Sequence, residues 1–333
     1  MITDTMIDAS GFVPALALRN RHAMTILPKF WPRGDTLTGV PTERRVFQVT
    51  PETGILGYCH WQVIRRDAPT MLLLHGLEGC SDSHYMKGLA AKGWRAGLNV
   101  IRLNQRTCGG SEGLTPTLYN SGLSQDFRRV VEELAVSDRL DRLWFVGYSM
   151  GGNLALKMAG EVGASLPALS GVIAVCPNID PTRCVAALEE PQNRLYHDYF
   201  LTRLKARVRR MAAMDPMKWD LSPLDELRTI RAFDDVYTAP DGGYRNVTDY
   251  YDRSGARHVL ADVRVPTVIL TAQDDPFIPF AMFSAPAITD NPSISVSAPS
   301  FGGHCGFLQR NRLGEDRFWA ENRIVELIST DSR

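Results

Sequence analysis

The sequence predicts an α/β fold, a mostly parallel central sheet with helices on both faces. Three observations carry this. Short apolar runs recur with helix-length connections between them, the spacing of βαβ units. Those runs are apolar throughout, as strands covered on both faces are. A pair of strand-like segments joined by a turn precedes them. In chain order, Arg45 to Val49 and Ile55 to Val63 flank the turn-forming Pro51-Glu52-Thr53-Gly54 and form an antiparallel edge. Met71 to Leu74, Leu98 to Leu103, Leu143 to Val146, Val172 to Cys176 and Thr267 to Thr271 supply the parallel strands, and Ile294 to Ala298 the last. Between Asn178 and Asp262 the rhythm breaks into a long charged stretch that reads as an insertion. Within it Leu201, Leu204, Val208 and Met211 recur at helical spacing, while Arg203, Lys205, Arg207, Arg209 and Arg210 fill the other positions. That pattern predicts an amphipathic lid helix with a solvated basic face. Phe318 to Ile328 closes the chain as a helix. The expected organisation is one domain over 1–333, with an N-terminal arm 1–39, a core 40–177 and 263–333, and a lid insertion 178–262.

The composition narrows the function classes. With 333 residues, 44% of them hydrophobic, the chain can bury a sizeable core. Lys plus Arg equals Asp plus Glu at 37 each, which leaves no electrostatic footprint for nucleic acid. Cys59, Cys80, Cys108, Cys176, Cys184 and Cys305 lack the paired spacings of zinc sites or of a small disulfide framework, so a reducing, cytoplasmic setting fits. The apolar stretch Phe12 to Leu18 has no basic residue before it and contains Pro14, unlike a secretory signal. No run approaches the ~20 residues needed to cross a bilayer. Neither a metal nor a cofactor is expected, since no His-Glu-x-x-His, Cys-x-x-Cys or phosphate-cradling glycine spacing occurs.

The chemistry is concentrated in three segments. Gly147-Tyr148-Ser149-Met150-Gly151 follows an apolar strand and precedes the helix-compatible stretch Asn153 to Met158. Strand, glycine-flanked serine, helix is the order of a nucleophile elbow, in which a tight turn exposes a serine hydroxyl. Such a serine needs an imidazole base and a carboxylate to orient it, in the chain order Ser, Asp, His. Of seven histidines, His304 alone sits on a loop after the final strand, in Gly302-Gly303-His304-Cys305-Gly306. Asp274 and Asp275 both follow the strand ending at Thr271, and the spacing Asp-x-x-Ile-Pro favours Asp275, leaving Asp274 as a turn or capping residue. His75-Gly76-Leu77-Glu78-Gly79 sits where a loop of oxyanion donors belongs, which assigns that task to the backbone N–H groups of Leu77 and Met150. His75 reads as a ring that orients this loop. Gly109 to Gly113 reads as a loop near the site mouth.

Taken jointly, these motifs resemble the YheT-like α/β-hydrolases, the group that includes the mammalian ABHD-type lipases and esterases. Further carriers are Asn20-Arg21-His22 with Thr25-Ile26-Leu27-Pro28, Leu114 to Tyr119, and Arg231-Ala232-Phe233-Asp234-Asp235. Two departures stand out: Arg21 replaces a proline, and Asn104 to Gly110 replaces a more compact form at a place that would alter the acyl pocket. The resemblance implies an α/β-hydrolase fold and a carboxylic-ester hydrolase acting on short-chain esters or monoacylglycerols through an acyl-enzyme. Ser149 would be nucleophile, His304 acid and base, and Asp275 orienter. Thioesterase, lactonase, acyltransferase and non-catalytic binding readings share that scaffold. A transient contact of the basic lid helix with a lipid surface is a further expectation.

Overall fold

Alternation along the central strands divides their side chains between the two faces of one sheet. The computed structural model describes residues 7–34 and 36–330; the first six residues of the expected arm, Asp35 and the last three of the expected core lie outside them. The strands are β1 (Glu43–Thr50), β2 (Thr53–His60), β3 (Thr70–Leu74), β4 (Asn99–Leu103), β5 (Leu143–Tyr148), β6 (Leu169–Val175), β7 (Thr267–Leu270) and β8 (Ile294–Ser297). They lie side by side in the order β1-β2-β4-β3-β5-β6-β7-β8. β1 and β2 pair antiparallel, as do β2 and β4, and the remaining pairs are parallel. Leu72, Leu74, Ile101, Leu103 and Phe145 face one apolar core, and Met71, Leu73, Val100, Trp144 and Val146 face the other. Each fully buried side chain of this kind contributes about 1.5–3 kcal/mol.

The helices of the chain are α1 (Arg21–Ile26), α2 (His84–Arg95), α3 (Ser124–Val136) and α4 (Met150–Val162), followed by α5 (Pro181–Leu188) and α6 (Arg194–Met214). After them come α7 (Ile230–Phe233), α8 (Ala239–Asp241), α9 (Val247–Ser254), α10 (Pro286–Thr289) and α11 (Trp319–Thr330). α2 and α11 cover one face of the sheet together with Met24 of α1; α3 and α4 cover the other. Between Asn178 and Asp262 the described residues form helices and turns, with a π-helical turn at Asp234–Thr238 linking α7 to α8. No described helix is long and apolar enough to cross a membrane.

α6 departs from the expected solvated basic face. Leu201, Leu204, Val208 and Met211 are buried as its spacing implies, but so is Arg207. Arg207 grips Glu78 through two bonds of 2.9 Å, Nε to Oε1 and Nη2 to Oε2. The other cations are engaged too: Arg209 pairs with Asp225, and Arg210 with Glu112 at 2.9 Å. A buried guanidinium persists only where a carboxylate and acceptors satisfy it, and Glu78 with the carbonyl of Thr107 does so.

Candidate active site

Register brings the site loops together. Leu74 lies opposite Gly147 in the β3–β5 pair, so the chain leaving each strand emerges at the same sheet edge. Ser149 is held at φ 53°, ψ −117°, a conformation costly for any residue with a Cβ and tolerated where surroundings enforce it. The flanking glycines make that turn sterically feasible. A Cβ on Gly147 would lie 2.1 Å from the Gly151 carbonyl oxygen, and one on Gly151 would lie 2.6 Å from the carbonyl oxygens of both Leu74 and His75. All of these obstacles are backbone.

His304 Nδ1 lies 2.8 Å from Asp275 Oδ2. A carboxylate only accepts, so Nδ1 carries the proton and Nε2 is left as the basic nitrogen. The second oxygen, Oδ1, accepts from the N–H groups of Phe277 and Ile278 at 3.1 and 3.0 Å, which fixes the carboxylate plane. Burial opposes the imidazolium, but the charges of Cys305 and Asp275 outweigh it and hold His304 above the ordinary histidine value. Burial would likewise raise Cys305, yet its Cys176 and His304 neighbours pull that thiol below the usual range. Asp274 takes a different part of the same loop: its Oδ1 accepts from the Gly303 N–H at 2.9 Å. Ser149 and His304 line one cavity, and the serine hydroxyl makes no hydrogen bond among the described residues.

The loop after β3 is braced from two sides. Burial pushes His75 down to about 4, so its ring is neutral; Nε2 accepts from the Gln105 N–H at 3.1 Å, and Nδ1–H donates to the Gly76 carbonyl at 2.8 Å. On the other side Glu78, beside Leu77, accepts from Arg207 and from the Tyr119 hydroxyl at 2.8 Å. Met150 opens α4, where backbone N–H groups have no intrahelical partner. Its N–H and that of Leu77 belong to the two loops that converge on Ser149.

Two cavities meet at the serine. The inner holds about 70 Å³ and is walled by Leu188, Leu204, Ile230, Phe277 and Asp234; the outer holds about 500 Å³ and opens past Ile26, Phe30, Leu195 and Tyr199. Ser149 and Leu77 line both, Met150 only the inner, and His304 only the outer. Gly109 to Gly113 reaches neither, contrary to its expected place at the mouth; Glu112 is tied instead to Arg210, about two turns of α6 beyond Arg203 at the cavity rim. Nor does the departing loop Asn104 to Gly110 line either cavity; Gln105 and Thr107 brace His75 and Arg207 instead.

Several residues to which the motifs assign no role support the site. The Thr25 hydroxyl accepts from the His304 N–H at 2.9 Å, so α1 fixes the histidine loop. Asn20 caps α1 by accepting from His22 and Ala23. Asn153 on α4 donates to the carbonyls of Ser121 and Ser254 and accepts from the Ala256 N–H, fastening the helical segment to the serine helix.

A family model described as alpha/beta hydrolase fold matches residues 69–310. The chain is 29% identical over 324 residues to YheT of Escherichia coli K12, covering 97% of this chain and 94% of that protein. It is 31% identical over 242 residues to the phospholipase ABHD3 of Mus musculus, covering 72% of this chain but only 59% of that longer protein. A crystal structure of the Pyrococcus furiosus esterase Pf2001 superposes with a TM-score of 0.59 at 14% identity, over 88% of this chain and 91% of that one, a likeness of fold alone. Because the matched span runs from β3 through the histidine loop, the chain belongs to the alpha/beta hydrolase fold family, as a YheT-like member of its ABHD-type group.

Proposed function

We propose that this carboxylic-ester hydrolase works through an acyl-enzyme on Ser149 and removes short acyl groups from larger alcohols. His304 Nε2 takes the serine proton as Oγ attacks the ester carbonyl. The developing oxyanion accepts from the N–H groups of Leu77 and Met150, and Asp275 keeps the proton on Nδ1 so that Nε2 faces the reaction. His304 then returns the proton to the departing alcohol, and water repeats the cycle on the acyl-serine. The hydroxyl and imidazole need not be bonded in the free enzyme, since such contacts tighten when substrate fills the site.

The carrying observation is that Ser149 lines both cavities while His304 lines only the outer. The group protonated by His304 leaves on the outer side, so the acyl group occupies the inner. At about 70 Å³ the inner cavity is less than half the ~150 Å³ that accommodates benzene in an apolar protein interior. That size supports short acyl groups over long-chain monoacylglycerols.

The mouth supports an alcohol part drawn from a lipid surface. Phe30 and Leu195 are 70% and 78% exposed there, beside Ile26, Tyr199 and the cations Lys29 and Arg203. An apolar rim with interspersed cations is the pattern of interfacial contact, and it centres the proposed lipid contact on the N-terminal half of α6 and the turn after α1. A panel of esters of one alcohol with acyl chains of ~2 to ~16 carbons tests the reading. The expected kcat/KM is highest at about 2–4 carbons. A rise continuing through medium and long chains would overturn the acyl assignment.

A further inference from the structure

Cys176 follows β6 and Cys305 follows His304, 129 positions apart, yet they meet: the Cys305 N–H donates to Cys176 Sγ at 3.3 Å. The Cys176 thiol in turn reaches the Gly303 carbonyl at 3.9 Å. Both sulfurs and a ring nitrogen of His304 lie within 4.8 Å of one another, and no other group of at least three His, Cys, Asp or Glu ligand atoms gathers in this way among the described residues. His304 and Cys305 face the outer cavity; Cys176 is fully buried behind them.

Tetrahedral zinc places sulfur at ~2.3 Å and imidazole nitrogen at ~2.0–2.1 Å, so its ligand atoms stand about 3.5–4 Å apart. Moving these three atoms into that arrangement takes shifts on the order of 1 Å from the observed cluster. Two thiolates and an imidazole form a soft donor set that selects zinc and its neighbours over magnesium or calcium. Asp275 already holds His304 Nδ1, which is how a carboxylate orients a metal-binding histidine.

We propose that Cys176, His304 and Cys305 form an inhibitory site for a soft divalent cation such as zinc, which captures the imidazole that the ester reaction needs. On binding, the two thiols release their protons to solvent, two sulfur–metal bonds and one nitrogen–metal bond form, and water completes the fourth position. Nothing is oxidised. The inhibition rests on the function proposed above; the binding does not.

The test combines zinc dialysis, cobalt(II) absorption and ester turnover on purified protein, first stripped with a chelator. Wild type is expected to bind about one zinc per chain and to show a sulfur-to-cobalt charge-transfer band. Its turnover falls with zinc and returns on chelation. In Cys305→Ala, with each protein measured against its own zinc-free turnover, the zinc concentration for half inhibition is expected to rise at least about tenfold. Cys176→Ala, the second variant, loses the cobalt band as well. Zinc binding with the band but no measurable turnover in wild type would leave the site standing and remove the proposed function. A missing band in wild type, or equal zinc sensitivity in Cys305→Ala, would overturn the site.

Discussion

At Ser149 the backbone is strained and the side chain unencumbered, and both follow from glycines on either side that leave room for adjoining backbone. Single residues farther away act by position. Arg207 is the clearest case, since its guanidinium fills the space behind Glu78 and so sets the loop that carries the Leu77 N–H. Removing one partner strands a buried charge, so Arg207→Met is expected to lower the unfolding free energy by about 3–5 kcal/mol. Urea denaturation checks this, with Glu78→Gln added to Arg207→Met recovering part of the loss; an unchanged midpoint for Arg207→Met would refute the role. Ser149, Asp275 and His304 were legible as candidates because each sits in a short motif whose spacing has a mechanical reason. Arg207 was not, because among neighbouring basic residues at helical spacing it looks like a surface cation, and its partner lies 129 positions away. The cluster of Cys176 with Cys305 was hidden for the same reason: only the sheet brings them together.

Elements differ in how far their pattern speaks. The strands were readable because they are buried on both faces, whereas the helical segment from Asn178 to Asp262 mixes buried charge with exposed apolar residues. Its π-helical turn shows the consequence. Asp234 is buried there, with its carboxylate accepting from the hydroxyls of Thr238 at 2.6 Å and Tyr251 at 2.7 Å. Burial raises it from 3.8 to about 6, and those hydroxyls with Arg231 offset only part of the shift. Between these values the folded chain binds more protons than the unfolded one, so this group makes stability fall as pH rises from about 4 to about 6. Above that window the cost is complete, on the order of 2–3 kcal/mol. Asp234→Asn is expected to remove this decline. Thermal unfolding across that pH range checks it, and an identical slope in wild type and variant would contradict the assignment.

For the whole molecule, the sheet order decides where chemistry can occur. β4 and β5 flank β3, so the chain leaves β3 and β5 side by side at the edge where Asp275 and His304 also arrive from after β7 and β8. This convergence could be expected from recurrent strands; the division of the space around Ser149 into a small inner and a larger outer cavity could not. That division depends on α5, α6 and α7 covering the serine, and no local pattern encodes the fit. The apolar mouth is likewise assembled from α1 and α6 with the turn after α1. Replacing Phe30 and Leu195 by Ser is expected to lower turnover of an ester presented on vesicles by about tenfold while sparing a water-soluble short-chain ester. Equal loss on both substrates would place these residues in structure instead of surface contact. The account as a whole depends on an activated serine. Peptide mapping after brief exposure to a fluorophosphonate measures this directly: the expected result is an adduct on Ser149, at about one per chain, that is suppressed in His304→Ala. An unlabelled chain, or an adduct on another residue with Ser149 untouched, would contradict it.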